Sequence, residues 1–168
     1  AAVSAARKGA FVTIYEKNSR LGKKILSTGN GRCNISNKNA GISNYHGNDV
    51  SFMADTVENF WVKETEEFFS ELGLLLKTEA DGKMYPYSNQ ASSVLDVLRF
   101  EVERLGILVV YDFEALKLIR TKGGYKIISY DGREAFAQSV ILATGGKAAP
   151  DTGSCGSGYS LCKMMGHS

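Results

Sequence analysis

Small apolar side chains recur at helical spacing in AAVSAARK (residues 1–8) and stop at Gly9, which predicts the closing turns of a helix. FVTIYE (11–16) then turns β-branched and aromatic, the pattern of a buried strand that ends in an acid. Residues 18–48 are rich in Gly, Asn and Ser and show little periodicity, so they are expected to be mostly loop. That is longer than the ~12–15 residues usual for structureless connections, which points to a functional role. Residues 50–72 predict one long amphipathic helix. Its apolar stripe carries Met53, Val57, Phe60, Trp61, Phe68 and Leu72, with Glu58, Lys63, Glu66 and Glu67 mostly opposite.

LLLKTEADGKMYPYS reads as a short hairpin around Asp81-Gly82, and residues 92–105 as a second amphipathic helix with Val94, Leu95, Leu98, Val102 and Leu105 inward. The pattern then becomes strand-like. ILVVY (107–111), EALKLIRT (114–121), YKIISYD (125–131) and REAFAQ (133–138), with turns at Gly123-Gly124 and Asp131-Gly132, predict an antiparallel meander. SVILATGG (139–146) is a continuous apolar run into two glycines, as expected of a parallel strand buried on both faces. A helical YSLCKMM follows. This order predicts an α/β fold: an open, mostly parallel sheet with an antiparallel excursion, and a ligand at the carboxyl ends of the strands.

Composition narrows the function classes. The 168 residues suit one domain, 43% hydrophobic and 23% charged, and 20 basic against 18 acidic residues leave a net charge of +2. That balance is no footprint for nucleic acid or an anionic membrane, and no apolar run approaches the ~20 residues that span a bilayer. Cys33, Cys155 and Cys162 form no CxxC pair, which fits a reduced, cytoplasmic setting. Two histidines away from any cysteine pair give no zinc spacing, and no metal site is expected. The chain begins inside helical sequence without Met and stops at MMGHS, so it reads as a fragment, residues 1–168 being part of a single domain.

Three places carry candidate chemistry. Glu16 closes a strand, where an acid either accepts hydrogen bonds from the ribose hydroxyls of a dinucleotide or is simply solvated. The glycine fingerprint that accompanies such an acid would fall just before Ala1. In RLGKKILSTGNGRCN, Lys23 and Lys24 could neutralise phosphates, and Gly29 and Gly31 would admit a ligand closer than any Cβ permits. Backbone N–H groups and Arg32 would face electron-rich ring atoms and steady negative charge on a reduced flavin. Cys33 is either a reactive thiol or a small packed residue. In VILATGGKAAPDTGSCGSGYSLCKMMG, Gly145, Gly146, Gly153, Gly156 and Gly158 precede a helix N-terminus, an arrangement that can bind anions. It is not the GxxxxGK[ST] spacing of nucleotide triphosphatases. His46 and His167 suit surface or capping roles, and Tyr85, Tyr87 and Ser88 either face a substrate or pack.

YEKNSRLGKKILSTGNGRCNISN, GKMYPYSNQASSVLDVL and VILATGGKAAPDTGSCGSGYSLCKMMGH together resemble the bacterial NAD(P)/FAD-dependent oxidoreductases of the aminoacetone oxidase type. The resemblance implies an FAD/NAD(P)-binding Rossmann-like open sheet of glutathione-reductase type, here without its first strand. It implies that Glu16 holds the adenosine ribose with Lys17 nearby. Gly22, Lys23 and Lys24 would run along the pyrophosphate, and Thr28, Gly29, Asn30, Gly31, Arg32, Cys33 and Asn34 along the isoalloxazine. The backbone near Ala115 would reach the adenine, and Thr144 and Gly145 would close over the dinucleotide. FAD is the implied cofactor, NAD(P)H a possible electron donor, and a small molecule the substrate; no catalytic residue is implied. Lys83 stands where the family usually has arginine, and Cys155 where threonine is common. The competing reading is a truncated, non-catalytic fragment that binds little or no cofactor by itself. A methyltransferase is disfavoured because TGNGRCN has no role there.

Overall fold

In the computed structural model, all residues are described except 48, 149, 153 and 168, together with the side chains of 58 and 152. In chain order the elements are α1 (Ala2–Arg7), β1 (Thr13–Tyr15), α2 (Lys23–Ser27), β2 (Ser36–Asn37), α3 (Ala54–Asn59), α4 (Val62–Glu71), β3 (Leu76–Thr78) and β4 (Lys83–Pro86). Then follow α5 (Ala91–Arg104), β5 (Leu108–Val110), β6 (Ala115–Thr121), β7 (Gly124–Ser129), β8 (Glu134–Ala137) and α6 (Ser157–Met164). The fold is mixed α/β, as the alternating patterns predict. The chain forms two compact units, Ala1–Lys24 with Val102–Ser168, and Ile25–Glu101.

In the first unit β1 pairs in parallel with β5, Ile14 opposite Val109, while β6, β7 and β8 form an antiparallel sheet. This corrects the place of ILVVY. Its strand belongs to the parallel pair and not to the meander, because Leu108 and Val110 find backbone partners on β1. The core joins Phe113, Leu118, Ile127 and Ala135 to Leu161 of α6. One face of the meander and one stripe of the helix thus shield each other from water, the main favourable term in folding.

SVILATGG is a second correction. Among the described residues it joins no ladder, and its burial alternates: Val140 and Leu142 pack on the core while Ile141 is 66% exposed. Apolar composition alone does not make a doubly buried strand. A strand also needs neighbours on its edges and on both faces.

The second unit holds the antiparallel sheet β2-β4-β3. Its core gathers Cys33, Leu74, Ala91 and Val94, with Ile25, Leu26, Ile35 and Phe69 packed against them. Met84 of β4 is fully buried. The expected helix over 50–72 is in fact broken. Phe60 (φ −153°) and Trp61 (φ −128°) leave helical geometry between α3 and α4. The break has an identifiable cause: the Trp61 indole donates to the Ala40 carbonyl at 3.2 Å, and Glu64 accepts the Trp61 backbone N–H at 2.8 Å. That hydrogen bond holds the Glu64 carboxyl below its ordinary pKa. Phe60, expected on the buried stripe, is 52% exposed, and Phe69, which the stripe did not include, packs against the core. Glu58 lies outside the described side chains.

The segment over 18–48 is less loop-like than expected, since it contains α2, β2 and two 3-10 turns, Thr28–Gly31 and Ile42–Asn44. Among the described residues no helix is long and apolar enough to cross a membrane.

Candidate functional site

In the first unit, the predicted residues collect around the end of β1 and the entry to α6. Glu16 follows β1 directly; its N–H donates to Val110 O (2.9 Å) and its carbonyl accepts from Phe113 N (3.0 Å). The backbone is therefore fixed. One carboxylate oxygen, Oε1, accepts from the Asn18 backbone N–H at 2.8 Å and from the Asn18 side chain at 2.6 Å. Asn18 is a partner the sequence reading missed, although a polar residue two positions after an acid is a familiar turn signal. Lys17 lies 3.5 Å from Cys155 Sγ and 3.8 Å from Glu114, the residue before Ala115.

Ala115 opens β6 opposite Ser129, and the register slips between Ala115 and Lys117. A bulge of this kind frees backbone groups from the ladder at the point where the resemblance places adenine. Gly22 has φ +77°, and Lys23 is exposed on α2. Lys24 donates to the buried Ser154 hydroxyl at 3.3 Å. A Cβ on Gly145 would lie 2.7 Å from that same hydroxyl, and Thr144 Oγ1 crowds Gly158 in α6. Ser154 thus accepts from Lys24 and fills the space a side chain at Gly145 would need, a role no sequence motif marks. Of the five candidate glycines here, Gly153 lies outside the described residues.

Cys155 has an electropositive neighbourhood. Hydrogen bonding from the Ser157 backbone, then from Lys17, lowers its thiol pKa below the ordinary value. The folded chain should therefore carry thiolate at Cys155 at a lower pH than the urea-unfolded chain. Iodoacetamide labelling followed against pH is expected to show its midpoint moved down on folding. Lys17→Met should move that midpoint part of the way back. A midpoint that ignores both folding and Lys17 would contradict this geometry. Cys33, being buried, should stay unlabelled until unfolding.

The second unit holds the whole TGNGRCN stretch. Thr28 closes α2 by donating its hydroxyl to Ile25 O at 2.8 Å. The next turn is left-handed at four of five residues: Gly29 (φ +55°), Asn30 (+54°), Gly31 (+80°) and Cys33 (+60°). Asn30 and Cys33 accept this unfavourable backbone without being glycine, and such strain clusters at functional segments. Cys33 N–H donates back to Thr28 O at 3.0 Å, closing the loop, and its side chain is in the core. Cys33 is thus a packed residue whose side chain and N–H are both engaged, and only its carbonyl is left for a ligand. Gly29 also differs from expectation. Its missing Cβ would face inward, 2.6 Å from Asn34 N and 3.2 Å from the Tyr85 ring. Gly29 therefore lets the loop fold onto itself, whereas Gly31 is the one that faces open space. Asn34 is exposed beside them.

Arg32 is the charged group of this loop. Its Nη1 donates to Glu79 Oε1 at 2.7 Å, and its guanidinium sits 4.0 Å from the centroid of the buried Tyr85 ring. The Glu79 hydrogen bond raises the Arg32 pKa further above its already high ordinary value. Lys83 pairs separately with Asp81 at 2.7 Å. Glu79 was not found from sequence; an acid in a hairpin gives no local sign that it meets an arginine 47 positions earlier.

Comparison with known proteins finds relatives of this chain. A "3-dehydro-bile acid delta(4,6)-reductase" of Clostridium scindens is 46% identical over 171 residues, covering 99% of this chain and 41% of that protein. A "Ribosomal RNA dihydrouridine synthase" of Haemophilus influenzae is 21% identical, covering 98% of this chain and 42% of that protein. The chain thus spans about two fifths of the length of these curated relatives. Among solved structures, Thermovibrio ammonificans THI4 aligns over 76% of this chain and 40% of its own, with a TM-score of 0.47 and 14% identity. NikD, an unusual amino acid oxidase, aligns over 88% and 48%, with a TM-score of 0.45 and 11% identity. Likenesses of that size bear on neither cofactor nor substrate. The family match is of another order: over residues 1–168 the chain matches, and belongs to, the HI0933-like protein Rossmann domain family.

Proposed function

We propose that this chain is the FAD-binding part of a flavin-dependent oxidoreductase. The observation that carries the reading is the Thr28–Asn34 loop: a closed left-handed turn with Asn30 and Gly31 exposed, and a fixed guanidinium beside it. The donor set fits a flavin. Arg32 spends one of its N–H donors on Glu79, is only partly covered, and cannot lose its charge at any working pH. The acid after β1 fits the dinucleotide end, since Glu16 Oε2 has no partner among the described residues.

When bound, the flavin supplies the redox chemistry, and the chain supplies position and electrostatics. Glu16 and Lys17 would hold the ribose end, and Gly22, Lys23 and Lys24 the phosphates. The backbone beside Ala115 would meet the adenine, and Thr144 and Gly145 would lie along the dinucleotide. The amides of Gly29, Asn30, Gly31 and Asn34, with Arg32, would orient the ring and offset negative charge gained on reduction, while the Cys33 N–H keeps the loop closed on Thr28 O.

Within this reading the motif blocks resemble an aminoacetone oxidase type, while the 46%-identical relative is named a reductase and a second relative a dihydrouridine synthase. Both names denote hydrogen-adding reactions, so we take the reductase direction, with a small-molecule substrate and NAD(P)H as donor. Stopped-flow mixing separates the two types. A reductase is expected to be reduced by NAD(P)H and reoxidised slowly by air, and an oxidase to react quickly with dioxygen. The reading as a whole is tested by purifying the full-length protein. It should be yellow, lose its colour on acid–salt stripping and regain it with FAD. A colourless, folded protein that takes up no added FAD would overturn the proposal.

A further inference from the structure

The Arg32–Glu79 pair is poorly explained as a stabilising contact. Both side chains are more than a third exposed (37% and 35%), and ion pairs so accessible to water contribute little. The geometry is nevertheless exacting. Glu79 N–H donates to Lys83 O at 2.8 Å and Glu79 O accepts from Gly82 N at 2.9 Å, so the backbone of Glu79 is held by its hairpin. Tyr85, opposite Lys77 in the β3–β4 ladder and 4% exposed, supplies a fixed aromatic face beneath the guanidinium. The neighbouring charges are sorted: Lys83 is held by Asp81, so it does not compete for Glu79. Arg32 itself is tied to the loop through its N–H to Gly29 O at 3.1 Å. A long, flexible cation is thus immobilised between a carboxylate and a ring, with its remaining donors left over.

We propose that Glu79 is a positioning residue, which together with the Tyr85 ring fixes Arg32 so that its free N–H donors meet the negative charge a bound flavin gains on reduction. This rests on the flavin reading of the loop. It assigns a task to a hairpin acid that touches no cofactor itself.

The sign of one measurement separates positioning from a bare charge effect. Removing a nearby carboxylate through space alone makes the surroundings more positive and favours the reduced flavin. Releasing Arg32 from its post does the opposite. In the full-length protein, Glu79→Ala is therefore expected to weaken the preference for reduced over oxidised flavin by about tenfold, the scale of one charge-assisted hydrogen bond. That is a negative shift of about 30 mV for a two-electron couple. Glu79→Gln keeps an acceptor oxygen for Arg32 and should restore the potential to wild type or above it. In an Arg32→Gln background Glu79→Ala should lose its negative shift, as a double-mutant cycle requires of coupled residues. Glu79→Thr, suited to a hairpin edge, replaces the alanine variant if that one does not fold. A zero or positive shift in the truncated variant, with wild type binding flavin, overturns this inference alone. A wild-type protein that binds no flavin overturns the underlying reading with it.

Discussion

Gly29→Ala is expected to abolish the flavin retention proposed above while leaving most of the second unit folded. At φ +55°, ψ +35° an alanine backbone is strained but tolerable, at a cost of roughly 1–2 kcal/mol. The contact is the larger obstacle. The new Cβ would stand 2.6 Å from Asn34 N, a backbone atom inside the same closed loop, and 3.2 Å from a Tyr85 ring that is itself buried. Neither neighbour can swing aside as the end of a flexible side chain could. The loop must open, and Arg32, hydrogen-bonded to Gly29 O, moves with it. A fall of at least ~100-fold in FAD affinity is expected, corresponding to about 2.7 kcal/mol. FAD fluorescence titration of the full-length variant measures it. Gly31→Ala is the comparison: its Cβ meets no protein atom within 4 Å, so besides backbone strain at φ +80° it would crowd only the bound ligand while the loop stays closed, and a smaller loss is expected. Equal losses at both positions would show that the inward closure at Gly29 is not what shapes the loop.

The second large effect lies in the meander. The predicted turn at Gly123-Gly124 is displaced by one residue: Thr121 pairs with Gly124, leaving Lys122 and Gly123 between the strands. Gly124 is thus the first residue of β7, with φ +137°, a conformation open almost only to glycine. A Cβ there would run into Ala137 O and stand 2.8 Å from Gln138 Cα, both backbone atoms at the end of β8. Gly124→Ala should therefore break the β7–β8 pairing that presents Ile127 and Ala135 to the core. About 2–5 kcal/mol of destabilisation is expected, a large share of the ~5–15 kcal/mol typical of a whole domain. Urea unfolding read by circular dichroism would show the midpoint fall. Gly123→Ala, whose Cβ meets nothing within 4 Å, should leave the midpoint nearly unchanged. Similar midpoints for both variants would contradict the register described above.

Local pattern located most of the elements and the candidate loop. Alternating and β-branched runs placed the strands of the meander, helical spacing placed α5 and α6, and Asp81-Gly82 marked the hairpin. TGNGRCN stood out because two glycines, two asparagines and an arginine have no simple role in a core. These signals are legible because they depend on backbone preferences and periodicities within a few residues. The sequence also held two readings of Cys33 and of Glu16 side by side. Contacts resolved the first: with Leu74, Ala91 and Val94 around it, Cys33 is core.

What remained illegible depends on partners distant in the chain. The helix over 50–72 breaks because the Trp61 indole reaches Ala40, and periodicity carries no record of that bond. ILVVY looked like one more strand of the meander until β1 proved to be its neighbour, since strand pattern specifies a face and not a partner. SVILATGG had the composition of a buried strand, yet burial is decided by what packs on each face. Ser154 and Glu79 were invisible for the same reason, as each gains its role from a cation more than 40 positions away. Sequence alone determined the kinds of elements and the loop worth studying. Only the tertiary structure decided which way Gly29 faces and what holds Arg32, because those are contacts between segments brought together by folding.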